Sequence, residues 1–145
     1  NAAQLATQDE DEHLDFVKKT VGTTPVIFVL NKVDELDPEE ENLTRTLRDM
    51  REYLEEKGFQ RPLICPVSAK TGWMAQNMEK ESLSRRETRW LETTEDLLEE
   101  LDIPGYYKKV FPRLLKSKCS SERERLLRAS GIAYIEEIIM RTGRN

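Results

Sequence analysis

Two short runs in this chain bring together side chains from which a polar binding site can be made. Asn31-Lys32-Val33-Asp34 offers an amide, an ammonium and a carboxylate, and Ser68-Ala69-Lys70 offers a hydroxyl and a second ammonium. An ionised carboxylate only accepts hydrogen bonds, through two oxygens held in a fork. Asp34 therefore suits a ligand with two adjacent N–H donors, a bidentate and charge-assisted contact of the strong kind. The plainer alternative is that Asn31 and Asp34 form only a turn and a cap.

Both runs directly follow a short apolar stretch. Val26-Ile27-Phe28-Val29-Leu30 precedes the first and Leu63-Ile64-Cys65-Pro66-Val67 precedes the second. Both stretches read as strands, and the first, with no polar residue in it, as a strand buried on both faces of a parallel sheet. Between them, Asp37 and Pro38 have the types of an N-cap and a first helical residue, and Glu40 completes a capping box. Leu43, Leu47, Met50 and Leu54 then form an apolar stripe that ends at Gly58. Strand, helix and strand make a βαβ unit. Ligands bind outside the carboxyl ends of parallel strands, so both runs are expected to face one crevice.

Upstream, Thr7-Gln8-Asp9-Glu10 has capping-box spacing and opens a helix with Leu14, Val17 and Val21 inside and Gly22 as its stop. A metal site from Asp9 to Glu12 with His13 is set aside, because adjacent helical residues point in different directions and an acidic opening suits the helix dipole. From Gly72 onward no further strand is legible. Trp90, Leu97 and Leu101 mark one helical face, with Thr93 and Thr94 able to start a new cap, and Pro104-Gly105 reads as a break. Pro112 interrupts the group Tyr107, Val110, Phe111, Leu114 and Leu115. Ser121-Glu122-Arg123-Glu124 repeats the capping-box spacing before Leu126 and Leu127, and Ser130-Gly131 opens a last helix with Ile132, Ile135, Ile138 and Ile139 inside. The expected class is α/β, with both motifs in residues 1–71 and a helical part in 72–145 whose apolar side chains serve as core.

The 145 residues hold 23 Lys+Arg against 28 Asp+Glu, for a formal net charge of −5, and 35% are charged, so much of the chain lies on solvated surface. A net negative chain argues against nucleic acid as a partner, since phosphate backbones are held by surplus Lys and Arg. The longest apolar run, Val26 to Leu30, falls far short of the roughly 18 residues that suggest a membrane span. Cys65 and Cys119 form neither a CxxC nor a disulfide framework, and no basic-then-apolar leader opens the sequence. A reduced, cytoplasmic setting is expected.

Asn31-Lys32-Val33-Asp34 followed by Ser68-Ala69-Lys70 resembles the NKxD and SAK pair with which P-loop GTPases recognise guanine. Guanine offers N1–H and a 2-amino group side by side, the two donors that the Asp34 fork can take. Adenine has an acceptor at N1 and no 2-amino group, and would leave the carboxylate unpaired. The resemblance implies that Asn31 addresses the purine O6/N7 edge and ties neighbouring loops together, and that Lys32 lays its stem along one face of the base. It also implies that the Ala69 N–H donates to O6 while Lys70 covers the other side, and that Ser68 braces the loop and Asp34.

A GTPase also needs G-x-x-x-x-G-K-[ST] to cradle phosphates, and none of the 6 glycines precedes a Lys. Asp102-Ile103-Pro104-Gly105 has the letters of a magnesium-sensing D-x-x-G, but it follows a helical stretch and reads as a helix-ending turn. Magnesium ligands are therefore expected only in a longer parent. The sequence opens on Asn1 rather than Met, and the expectation is the carboxyl-terminal part of a GTPase domain. The stretch from Asn1 to Asp9 is similar to the segment after D-x-x-G in bacterial dynamin-like GTPases. Gly131-Ile132-Ala133-Tyr134-Ile135 is similar to the G-x-x-Y-L segment near the end of dynamin GTPase domains. The resemblance implies a parent that binds and hydrolyses GTP, self-associates through its GTPase domain and contacts membranes through other segments. Trp73 to Lys118 matches no motif of the family. The competing expectation is a noncatalytic helical module that binds a protein partner and carries vestigial nucleotide motifs.

Overall fold

The two apolar stretches pair side by side. Strands β1 (Ile27–Leu30) and β2 (Leu63–Pro66) run parallel, with Ile27 opposite Leu63 and Leu30 opposite Pro66. The pairing continues past the strand ends, because the Val67 N–H donates to the Leu30 carbonyl and the Val33 N–H to the Val67 carbonyl. Both motif-bearing loops are thereby held at the same end of the sheet. The computed structural model describes residues 8–22, 26–37, 42–78 and 83–142, the side chains of 8–10 and 142 excepted.

The chain is mixed α/β and mostly helical. Helix α1 (Gln8–Val21) precedes β1, α2 (Leu43–Glu56) connects β1 to β2, and α3 (Ala69–Asn77) leaves β2. Helices α4 (Arg85–Leu101), α5 (Ile103–Val110), α6 (Glu122–Ala129) and α7 (Ile132–Thr142) follow. Helix α2 has the strongest amphipathic pattern, with Leu43, Leu47 and Leu54 buried. Across its outer side, Asp11 of α1 accepts from the Tyr53 hydroxyl and pairs with Lys57. Those two partners hold the Asp11 carboxyl below its usual range. Helix α6 packs on α3, α5 and α7 and links the second half of the chain. Residues of both halves share one core: Leu30, Ile64 and Cys65 of the strands lie with Leu98, Ile103, Tyr107, Tyr134 and Ile138 of α4, α5 and α7. A smaller cluster joins Met74 and Ala75 of α3 to Leu91 of α4 and Leu126 of α6.

The two edges of the sheet differ. Pro66 brings no N–H to the outer edge of β2, as befits an edge strand. The carbonyls of Ile64 and Pro66 on that edge accept from the hydroxyls of Tyr106 and Tyr107, at 2.6 and 2.9 Å. Tyr107 is fully buried, stacks on Tyr134 at 4.5 Å, and its phenol is pushed far up its titration range first by burial, then by the neighbouring Cys65. Among the described residues, no strand pairs with the other edge of β1.

Several expectations need correction. β1 is not buried on both faces: Val29 is 51% exposed, because no layer among the described residues covers it. Helix α2 starts at Leu43 rather than after Asp37, with Asn42 as N-cap accepting from the Thr44 N–H at 2.8 Å. Pro38 to Glu41, and Glu40 of the expected capping box with them, lie outside the described residues. The Thr7 capping box also lies outside them. No cap forms at Thr93 or Thr94; α4 runs through, and its buried face is Leu91, Thr94 and Leu98. Its start is a full capping box of Ser84 and Glu87. The break falls at Asp102 rather than at Pro104-Gly105, since Pro104 is tolerated in the first turn of α5. Asp102 adopts the left-handed conformation, closes α4 and accepts from the Gly105 N–H. Val110 and Ile139 are not core, being 37% and 57% exposed on the outer sides of their helices.

Candidate functional site

Asp34 and Ser68 meet at the carboxyl ends of the strands. The Ser68 hydroxyl donates to Asp34 Oδ1 at 2.6 Å, across 34 residues of sequence. Ser68 is fully buried and is also the N-cap of α3, accepting from the Thr71 N–H. A hydroxyl has one proton to give. With that proton on Asp34, the 2.8 Å contact between the Ser68 and Thr71 hydroxyls is donated by Thr71. Thr71, Ser68 and Asp34 thus form a directed chain that aims the carboxylate. Asp34 Oδ2 has no hydrogen-bond partner among the described residues, so the fork keeps acceptor capacity for an incoming pair of donors.

A second bond ties the loops. Asn31 Oδ1 accepts from the Ala69 N–H at 3.0 Å. That amide, assigned to the purine oxygen by the resemblance, is here the first N–H of α3 and is engaged by Asn31. Lys32 precedes a 3-10 turn (Val33–Glu35) and is itself left-handed, at φ 64° and ψ 31°. Val33 is fully buried, while Asn31 and Lys32 are exposed. The turn thus anchors the loop through Val33 and leaves the polar members at the surface. Lys70 is exposed, with its ammonium 4.1 Å from the centroid of the Trp90 ring on α4.

The floor of the SAK loop comes from far along the chain. The Ser68 N–H donates to the Ser130 carbonyl at 2.8 Å, and Ser130 is fully buried between α6 and α7. Gly131 follows at φ +85°, where an added Cβ would overlap the Pro66 carbonyl oxygen. Gly72 of α3 lies so close to Ile132 that a Cβ there would meet its side chain at 2.5 Å. The α6–α7 turn is therefore seated directly beneath the second motif.

All six sequence-assigned residues lie just past the two strands: Asn31, Lys32 and Asp34 in the loop and 3-10 turn after β1, and Ser68, Ala69 and Lys70 at the N-cap and first turn of α3. Direct bonds join Asp34 to Ser68 and Asn31 to Ala69, and among the described residues no such bond is made by the Lys32 or Lys70 side chain. Thr71, Trp90 and Ser130 were not assigned from sequence. The serine-to-threonine spacing of three, typical of an N-cap network, was a signal for Thr71; Trp90 and Ser130 had none, since their partners are distant in sequence. No group of three or more His, Cys, Asp or Glu able to hold a metal ion occurs among the described residues. No helix among them is long and apolar enough to cross a membrane. Comparison of the chain with protein-family models, with curated proteins and with solved structures returns no match.

Proposed function

We propose that this chain is the guanine-recognising, carboxyl-terminal part of a dynamin-like P-loop GTPase, whose full-length parent binds and hydrolyses GTP and couples hydrolysis to self-assembly. The observation that carries the proposal is the 2.6 Å bond by which buried Ser68 orients Asp34 while its other oxygen keeps acceptor capacity. A fork so aimed favours two adjacent N–H donors, as on guanine, and leaves a buried polar cost for bases without them. The open edge of β1 supports a parent whose sheet continues beyond these two strands. GDP and GTP are the proposed ligands, with magnesium held by residues of the parent. The chain by itself lacks G-x-x-x-x-G-K-[ST], so it binds the base end of the nucleotide without hydrolysing it.

Equilibrium dialysis against GDP, ADP and XDP tests this. The chain should retain GDP in preference to ADP, and Asp34→Asn should move the preference toward XDP, whose 2-oxo group accepts from the new amide. Equal retention of GDP and ADP, or an unchanged preference in Asp34→Asn, would remove the role given to Asp34. The second reading, a helical module that docks a protein partner, draws on Trp73, Ile139 and Met140, which are 53%, 57% and 54% exposed. A reading frame upstream of Asn1 that encodes G-x-x-x-x-G-K-[ST] favours the enzyme, and its absence there favours the module.

A further inference from the structure

The Lys70 ammonium lies 4.1 Å from the centre of the Trp90 ring, well inside the range of about 6 Å over which an aromatic face attracts a cation. Glu87 sits one turn before Trp90, on the same face of α4. Its carboxyl is held below the usual range first by the bonds from the Ser84 backbone and hydroxyl, and also by the charge of Lys70. Helix α4 packs against both α3 and the 3-10 turn that contains Asp34. One helix thus touches both motif loops and grips one motif lysine.

We propose that Trp90 is a positioning residue for Lys70: its ring holds the ammonium on α4, and a guanine entering beside Asp34 exchanges that contact for one between Lys70 and the base. The inference rests on the guanine reading above and extends it, because α4 would then register whether the site is filled. A base that needs Lys70 competes with the indole for it. Removing the indole removes the competitor.

The chain has two tryptophans, so Trp73→Phe leaves Trp90 as the sole indole. In that variant, GDP should produce a saturable change in indole emission with the same midpoint as GDP binding measured by equilibrium dialysis. The change should vanish when Lys70→Gln is added. Trp90→Leu should tighten GDP binding by about two- to fivefold, the span expected for an exposed cation–π contact, and Trp90→Phe should return it toward the unsubstituted value. Should Trp90→Leu fail to fold by circular dichroism, the emission arm decides, since it keeps Trp90 in place. GDP binding with unchanged Trp90 emission, or with unchanged affinity in folded Trp90→Leu, overturns this inference and leaves the guanine reading standing. No GDP binding by the unsubstituted chain overturns the guanine reading and this inference with it.

Discussion

The outer edge of β2 and the outer edge of β1 belong to one two-stranded sheet and are finished in opposite ways. On β2, a proline removes a backbone donor, and two tyrosine hydroxyls from α5 satisfy the carbonyls of Ile64 and Pro66. On β1, no strand pairs with the outer edge among the described residues, and Val29 is half-exposed on one face. A buried edge with unpaired carbonyls costs free energy, whereas an edge left to water or to another strand does not. The contrast teaches where this sheet is finished: the outer edge of β2 is closed by its own chemistry, whereas that of β1 has no strand partner among the described residues.

Substitutions at the closed edge should therefore be costly and those at the open edge mild. The largest effect is expected at Gly131, which combines a positive φ with a close approach to the Pro66 carbonyl. Gly131→Val should cost about 3 kcal/mol or more from backbone strain plus overlap, measured by urea unfolding. A loss below about 1 kcal/mol would mean that the α6–α7 turn does not press on β2 in solution.

Tyr107→Phe comes next. It keeps the stack on Tyr134 and deletes the hydroxyl that donates to Pro66, so a loss of about 1 to 3 kcal/mol is expected for a buried carbonyl left unpaired. The same residue sets a pH dependence. Burial raises the phenol above its unfolded value, so the folded state keeps a proton that the unfolded state releases. That contribution is fully present below the unfolded tyrosine pKa of about 10, and it is lost as pH rises above it. Stability of the unsubstituted chain should fall through that window, and Tyr107→Phe should flatten the fall. An unchanged slope would place the phenol in water. Tyr106 and Cys65 titrate upward for the same reason, burial, and leave a residual slope in the variant.

Tyr106→Phe should cost less, about 1 kcal/mol, because its hydroxyl is only partly buried and water can replace it at the Ile64 carbonyl. The smallest effect is expected on the other edge: Val29→Lys should change stability by no more than about 0.5 kcal/mol. A large loss there would show the open edge to be covered in solution, by self-pairing that sedimentation velocity would detect as a dimer of the unsubstituted chain.

The tertiary structure also explains which residues were legible beforehand. The two strands, their adjacency and the α2 stripe could be read because apolar periodicity and motif position act over a few residues. Asp102-Ile103-Pro104-Gly105 reads as a helix-ending turn, and α4 does end at Asp102, but Ile103 to Gly105 already belong to α5, because its first turn needs no N–H from Pro104. The start of α4 was missed although Ser84-Arg85-Arg86-Glu87 carries the capping-box spacing, a local signal present in the residues themselves. Helical spacing alone puts Ile139 inward, but of the four isoleucines of α7 only Ile138 is buried, Ile132 and Ile135 are half-buried and Ile139 is exposed.

By itself, then, the sequence determined the local chemistry: a carboxylate, an amide and two lysines on loops after two short strands, and the absence of a phosphate-cradling loop. Those follow from residue type and near spacing, which act before the chain has folded. Only the tertiary structure decided that Ser68 aims Asp34, that Trp90 holds Lys70, that the Ser130-Gly131 turn floors the site and that tyrosines end the sheet at β2. Each of these depends on groups brought together across 20 to 65 residues of chain. Such pairings are selected by burial and hydrogen-bond satisfaction of the whole core, and spacing along a sequence does not encode them.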